Sequence, residues 1–352
     1  MADKRGVTIR ELAQAAGVSI GTVSRALKGQ PGLSEQTRGQ VLEVAQQLGY
    51  DVGKLRTGKP RRMLFLYSRH MGSLANNPFY SYVLHGAETA CREAGVPLSL
   101  LSVQSGDDIA GQVRRHEADA LLGAGYFAPE AMDAIRRCDL PLVLVDHFFP
   151  GVRCINDDNQ MGAWLATRHL LEGNPRRIAA IFGPLAHYST SLRAKGFRRA
   201  LFEAGRLFDP DYEVTLDPAL EYRDAGRDAM RRLLELPEPP DAVFAYNDST
   251  ALYGMELCQE RGLRVPDDIR FIGYDDIEEA SHCKPPLSTV KMDKEALGHV
   301  AARALIDGDV EPNDASLPVE LVVRESSRSV VSPDKPAPVV RKARRQPATA
   351  DR

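Results

Sequence analysis

No stretch of this 352-residue chain approaches the roughly 20 consecutive apolar residues that would span a bilayer. Its start, Met1-Ala2-Asp3-Lys4-Arg5, leads into a polar segment rather than a signal peptide's apolar run, so a cytoplasmic location is expected. Cysteine is scarce: Cys91, Cys138, Cys154, Cys258 and Cys283 are scattered, with no Cys-x-x-Cys and no paired histidine spacing. They read as reduced thiols, not as a disulfide framework or a zinc site. Catalytic signatures are missing as well. The chain has no Walker loop, no Gly-x-Ser-x-Gly, no His-Glu-x-x-His and no strand-borne Gly-x-Gly-x-x-Gly. Neither an enzyme nor a cofactor or metal is expected.

What is present divides the chain in two. With 43% hydrophobic and 26% charged residues, it can build a small domain plus one large core, or two lobes of ordinary size. The net charge of -3 conceals an asymmetry. Residues 1–62 hold eleven Lys and Arg against five Asp and Glu, a balance of +6, and the remainder is -9. A basic first segment on an acidic body suits an anionic partner, above all nucleic acid; charge alone fits a solvated basic face equally well.

Three helices are legible in the first 50 residues. Thr8-Ile9-Arg10-Glu11 is a capping box opening a helix to about Ala16. Gly17 permits a tight turn, and Ser19 caps a second helix to about Leu27. After a loop over residues 28–32, Ser34 caps a third, with Val41, Leu42, Ala45 and Leu48 on one side and Gly49 as its stop. Helix, glycine turn, helix is the pattern in which the second helix enters a major groove. Leu12, Ala13, Ala16, Val18, Val23 and Leu27 form its expected core.

Residues 51–61 are basic, contain Gly and Pro, and read as a linker. From residue 62 to about 330 apolar runs of strand length alternate with helical segments. Strands are expected at Met63–Tyr67, Leu98–Val103, Ala118–Leu122, Leu142–Val145, Ile178–Phe182, Ala242–Ala245 and Ile269–Gly273. Helices are expected at Tyr80–Ala94, Met161–Leu171, Leu192–Ala204, Ala225–Glu235 and Thr250–Arg261. Such alternation means parallel sheets covered on both faces, here as two doubly wound lobes. Residues 331–352, rich in Pro, Ala and charge, are expected to be disordered.

The string Val18-Ser19-Ile20-Gly21-Thr22-Val23-Ser24-Arg25-Ala26-Leu27-Lys28-Gly29 resembles the helix-turn-helix of the lactose/galactose repressor family. Further family-like strings follow in order. They are Asn77-Pro78-Phe79, Asp158-Asn159-x-x-Gly162, His169-Leu170, Arg177-Ile178, Ser191-Leu192-Arg193-Ala194-Lys195-Gly196-Phe197 and Asn247-Asp248. Val265-Pro266-Asp267-Asp268-Ile269, Ile272-Gly273-Tyr274-Asp275-Asp276 and Pro285-Pro286-Leu287-Ser288-Thr289-Val290 complete the series. The resemblance runs from about residue 7 to residue 328. It implies an all-α headpiece on an α/β sensor of two periplasmic-binding-protein-like lobes, with three chain crossings between them. The first lobe would hold about 62–160 plus 293–322, the second about 161–290 plus the last strand. It also implies a homodimer that binds double-stranded operator DNA under control of a small effector. A free-standing solute-binding protein would not carry the basic headpiece.

By the resemblance, Ile20, Gly21 and Arg25 occupy base-reading positions. Ile20 and Gly21 offer apolar contact and close backbone approach, and Arg25 can pair bidentately with guanine. Thr8, Ser19, Thr22, Ser24 and Lys28 are the phosphate candidates. Family members insert a leucine from a hinge helix into the minor groove. Here Tyr50 is followed by Asp51-Val52-Gly53-Lys54-Leu55-Arg56 without the usual proline, and Leu55 is the expected wedge; the alternative is that Leu55 packs on the headpiece and the linker is a tether.

In open α/β sheets, ligands lie beyond the carboxyl ends of the strands. That rule singles out Asp146, His147, Asn247, Asp248 and Asp275, together with Arg193 near a helix start. A carboxylate, an amide and a guanidinium can hold paired sugar hydroxyls, and Phe79, Tyr80 and Tyr222 can supply apolar faces to a ring. The resemblance supports Arg193, Asn247 and Asp275 as effector contacts, and Asp146 beside them. Asp275 has a second reading as a helix cap, Asp248 reads as a cap, and His147 and His187 stand between ligand contact and solvated loop histidine. Asp158 and Asn159 read as packing and turn positions. The effector expected is a sugar or sugar derivative; the same scaffold also suits a purine or nucleoside, and an activator role is open beside that of a repressor.

Overall fold

A computed structural model describes residues 8–27, 33–48, 59–69 and 78–328. Lys28, Leu55, Gly49, the loop 28–32, most of the linker and the tail 331–352 lie outside the described residues.

The first three helices are α1 (Ile9–Ala15), α2 (Ile20–Leu27) and α3 (Glu35–Gln47). Each begins at the expected cap. The Thr8 hydroxyl accepts from the Glu11 amide while the Glu11 carboxylate accepts from the Thr8 amide. Ser19 Oγ accepts from Thr22 N, and Ser34 Oγ from Thr37 N. Gly17, at φ +66°, makes the turn between α1 and α2. Gln40 of α3 donates to the Ala16 carbonyl at 3.2 Å, which fastens the third helix to that turn. Leu12, Ala13, Ala16, Val23, Ala26 and Leu27 close on Val41 and Ala45, with Val18, Leu33 and Val44 at the rim. The expected inward stripe of α3 was too wide. Leu42 and Leu48 are 36% and 39% exposed, because the buried i, i+4 pair Val41 and Ala45 turns them outward.

The larger part has two six-stranded sheets. In the first, β1 (Met63–Ser68), β2 (Leu98–Val103), β3 (Ala120–Ala124), β4 (Leu142–Val145), β5 (Arg153–Asp157) and β11 (Ala315–Leu317) lie in the order β11-β5-β4-β3-β1-β2, all parallel. In the second, β6 (Ile178–Phe182), β7 (Glu213–Thr215), β8 (Ala242–Ala245), β9 (Arg270–Tyr274), β10 (Ser288–Met292) and β12 (Val319–Val322) lie in the order β12-β10-β9-β8-β6-β7. Only β12 runs antiparallel to its neighbour. The apolar runs read as strands are strands; β3 sits two residues later than expected, where Gly123 packs closely on Leu144 and Phe127. Strands β5, β7, β10, β11 and β12 escaped the reading because they are short or carry polar residues such as Arg153, Asn156 and Lys291.

Helices cover both faces of each sheet, as the apolar strands require. In the first lobe α4 (Pro78–Ala94) and α12 (Lys294–Asp307) cover one face, α5 (Ile109–Arg115) and α6 (Pro129–Arg136) the other. In the second, α7 (Asn159–Glu172) and α8 (Tyr188–Glu203) oppose α9 (Tyr222–Leu234) and α10 (Asp248–Glu260), with the short α11 (Glu278–His282) following β9. The chain passes between the lobes three times, at Asp158, Asp293 and Pro318. The last crossing comes earlier than the expected boundary at 322, since β12 already pairs in the second sheet.

Helices α4 and α12 touch through their backbones. A Cβ on Gly298 would lie 1.8 Å from the Val83 carbonyl oxygen, and one on Gly86 1.9 Å from that of Glu295. Gly298→Ala should therefore destabilise the sensor by about 1–3 kcal/mol through overpacking, read as a lower melting temperature. An unchanged melting temperature would contradict this helix contact.

Candidate functional site

The carboxyl ends of both sheets come together between the lobes, and three of the expected residues meet there, all buried: Asp146 after β4, Arg193 on α8 and Asp275 after β9. Asp146 and Asp275 sit at φ +54° and +111°, a region that non-glycine residues rarely occupy. Backbone strain of that kind gathers at binding sites. Asp275 caps no helix, since the residue at the start of α11 is Ile277.

Arg193 is the hub. Its Nε donates to Asn159 Oδ1 at 2.7 Å, its Nη1 to the Tyr246 carbonyl at 2.6 Å, and Nη1 lies 3.6 Å from Asp275 Oδ1. The guanidinium also stacks over the Tyr274 ring at 3.6 Å. Burial pushes the Asp275 carboxyl up to about 7, although Arg193 and Lys294 pull the other way. Lys294 Nζ donates to the carbonyls of Asp275 and Asp276. Asp157, at the end of β5 in the first lobe, accepts from Tyr274 Oη at 2.6 Å, and burial raises its pKa as well. That bond joins the lobes at the cleft floor.

A second group, drawn from both lobes, lies beside Arg193. Tyr80 Oη of α4 donates to Asp146 Oδ2, and His187 Nε2 stands 3.7 Å from the same oxygen. His147 and His187 are both buried rather than solvated. Burial lowers the His147 pKa to about 4, with the neighbouring His187 adding to the shift and Asp146 opposing it; burial also lowers that of His187. Both rings are therefore neutral at pH 7, each with one N–H and one bare nitrogen. Asp146 Oδ1, both His147 ring nitrogens and His187 Nε2 are buried without a hydrogen-bond partner. A buried polar group left in this state costs about 1–3 kcal/mol, so these atoms keep hydrogen-bonding capacity that the surrounding side chains do not fill. Among the described residues no group of three His, Cys, Asp or Glu is placed to hold a metal ion.

Asn247 and Tyr222 reach this group indirectly, through Tyr246, whose carbonyl accepts from Arg193. Asn247 Oδ1 caps α10 by accepting from Thr250 N, and its Nδ2 donates to Tyr222 Oη at 2.6 Å. The Tyr222 hydroxyl also bonds those of Tyr246 and Thr250, so Asn247 and Tyr222 form a layer behind Tyr246. Asp248, expected as the cap, is instead fully buried, accepting from Thr289 Oγ1 and Ile277 N. Phe79 is buried in the apolar cluster and meets Tyr80 edge-on at 4.9 Å; Tyr80 brings the polar atom to the site. Asp158 and Asn159, expected at packing and turn positions, do more than that: Asp158 caps α7 and Asn159 holds Arg193. Asp157, Tyr246, Tyr274 and Lys294 were not foreseen; only the position of Tyr246 and Tyr274 at strand ends hinted at them.

On the headpiece, Ile20, Gly21 and Arg25 are exposed along α2, with Ile20 at 46%, high for a large apolar residue. Arg25 makes one long contact, Nε to the Gly21 carbonyl at 3.4 Å. The Ser19 and Thr22 hydroxyls bond each other at 2.9 Å at the start of α2, and Thr8 is engaged in its capping box. Ser24 lies within α2.

Comparison with known proteins agrees across both parts. The family described as "Bacterial regulatory proteins, lacI family" matches residues 8–51, and the "Periplasmic binding protein-like domain" matches residues 167–327. The ribose operon repressor of Escherichia coli (strain K12) is 34% identical over 317 residues, covering 87% of this chain and 94% of that protein. The transcriptional regulator CelR of Thermobifida fusca is 33% identical over 354 residues, covering 93% of this chain and 100% of that protein. Among solved structures, a CelR–cellobiose complex superposes with a TM-score of 0.71 at 31% identity, covering 91% of this chain and 99% of that one. The lac repressor dimer bound to operator and an anti-inducer superposes with a TM-score of 0.66 at 25% identity, over 92% and 99%. With headpiece, lobes and relatives in agreement along nearly the whole length, the chain belongs to the lacI family of bacterial regulatory proteins.

Proposed function

We propose that this protein is a dimeric, DNA-binding transcriptional repressor whose hold on its operator is set by a sugar-type effector bound between the lobes. The observation that carries the effector half is the convergence of unmet buried polar atoms from Asp146, His147 and His187 opposite the Arg193–Asp275 pair. Hydroxyl groups, which both donate and accept, satisfy such a set. The DNA half rests on the exposed face of α2, where Ile20, Gly21 and Arg25 stand clear of the headpiece core. Relatives support the pairing: one is a ribose operon repressor, and another was solved with cellobiose. Two identical headpieces in a dimer impose two-fold symmetry on the operator. Effector control follows if the ligand contacts the two conformations of the lobes unequally.

Two outcomes test the two halves separately. Arg25→Ala should weaken a pseudo-palindromic operator by about 1–3 kcal/mol and relax selection at one base per half-site, while random DNA is held nearly as before. Equal affinity of wild type and variant for the operator, in a gel-shift titration, would remove Arg25 from the recognition face. Asp275→Asn keeps the side-chain shape and should leave operator binding intact but blunt the effector response. Thermal shift against pentoses, hexoses, disaccharides, sugar acids and nucleosides reads this directly, because a ligand at 100 times its Kd adds about 2.7 kcal/mol. A full wild-type shift in the variant would place the pocket elsewhere.

A further inference from the structure

The polar groups at the lobe junction are shut away from water. Asp146, His147, His187, Arg193 and Asp275 are each less than a tenth exposed. Asp146 and His147 belong to the first lobe and the others to the second, so a molecule reaches them when the lobes part. The single-residue joints at Asp158, Asp293 and Pro318 let one lobe turn against the other. What resists the turn is the set of side-chain contacts that span the lobes. Those contacts differ in leverage. Asp157, which accepts from Tyr274 Oη, directly precedes the joint at Asp158. Lys294, which donates to the carbonyls of Asp275 and Asp276, directly follows the joint at Asp293. Ties beside a pivot move little when the parts turn about it, so these two resist rotation weakly.

A third tie is next to no joint in the chain. Phe148, in the loop after β4, stacks on Tyr188, the first residue of α8, with ring centroids 5.5 Å apart and planes 20° from parallel. Dispersion between stacked rings falls off steeply with separation, so a small rotation breaks it. Neither ring belongs to an apolar cluster of its own lobe, so the contact serves the junction and not the cores. Each ring directly follows one of the buried histidines in sequence, yet Phe148 is 42% exposed while His147 is 6%. The stack thus stands outward of both histidines. Behind it the Tyr126 ring lies 5.7 Å from that of His147 and 5.8 Å from that of His187, and His187 Nε2 lies 3.7 Å from Asp146 Oδ2.

We propose that the Phe148–Tyr188 stack is a clasp across the lobe junction, which holds the lobes together and must part before any molecule reaches the residues behind it. The clasp governs access, and it stands whether the effector is a sugar, a nucleoside or another molecule.

The test needs no effector. Diethyl pyrocarbonate acylates neutral imidazole, and His147 and His187 are both neutral at pH 7. On the full-length chain, the rate of modification at these two residues, read by peptide mass spectrometry, reports how often the lobes part. Phe148→Ala should raise both rates about two- to tenfold, the factor that corresponds to one aromatic pair. Tyr188→Ala should do the same, and the double variant no more than either, because all three lose a single contact. Phe148→Tyr keeps the ring and should stay near wild type. Amide exchange in β8, inside the second sheet, should be unchanged in every variant. Unchanged histidine modification in Phe148→Ala, a double-variant effect equal to the product of the single ones, or an equal rise in Phe148→Tyr would overturn the clasp. Faster exchange in β8 alongside the histidine rates would overturn it too, since the whole lobe would then have loosened.

Discussion

A guanidinium cannot shed its proton to escape a dry environment, and this structure buries one at Arg193. Much of the second lobe's cleft face is arranged around that constraint. Asn159 at the first turn of α7, the carbonyl that ends β8, the ring of Tyr274 and the carboxylate of Asp275 each meet one part of the charge. Asp157 of the first lobe reaches the same cluster through Tyr274. The charge therefore orders residues from three separate strand ends and one helix start, and fixes where the lobes approach. Removing any one of these partners leaves the others to compensate a buried cation, which is why the cluster is dense.

Sequence reasoning reached part of this cluster, and the boundary has a physical basis. Asp146 and Asp275 stood out because each follows an apolar run, and a polar residue there falls at the carboxyl end of a buried strand. Arg193 stood out in a string shared with the family. Asn159, read as a packing or turn position, and Tyr246, Tyr274 and Lys294 were not assigned to it, because their parts depend on which elements lie side by side. That order is set by pairing between β8, β9 and β10, distant in sequence. Asn247 illustrates the converse. Its place after a strand suggested a contact, yet the same place is the start of α10, and the backbone amide of Thr250 claims its oxygen. The fold shows the same division. Runs such as Leu142–Val145 announce themselves, while β5 and β10 are held in their sheets by neighbours despite polar residues, and β11 and β12 by edge pairing.

The two modules handle polar groups in opposite ways. In the headpiece, Ser19 and Ser34 satisfy helix ends locally, the described core cluster is made of apolar side chains, and α2 keeps an open face. In the cleft, carboxylates, imidazoles and a guanidinium are withdrawn from water, some of them without partners. Local satisfaction makes a module that can be read from short motifs. Withdrawal from water makes one whose polar groups depend on partners brought together from distant parts of the chain.

The three passages between the lobes are each a single residue long: Asp158 between β5 and α7, Asp293 between β10 and α12, and Pro318 between β11 and β12. A joint of one residue extends no more than about 3.6 Å, so the lobes have no slack with which to separate or slide. Asp158 and Asp293 are further tied down as helix caps, and the proline ring fixes one torsion of the third joint. What remains free is rotation about the line of these joints. Joints this short restrict displacement of one lobe past the other more than they restrict its rotation.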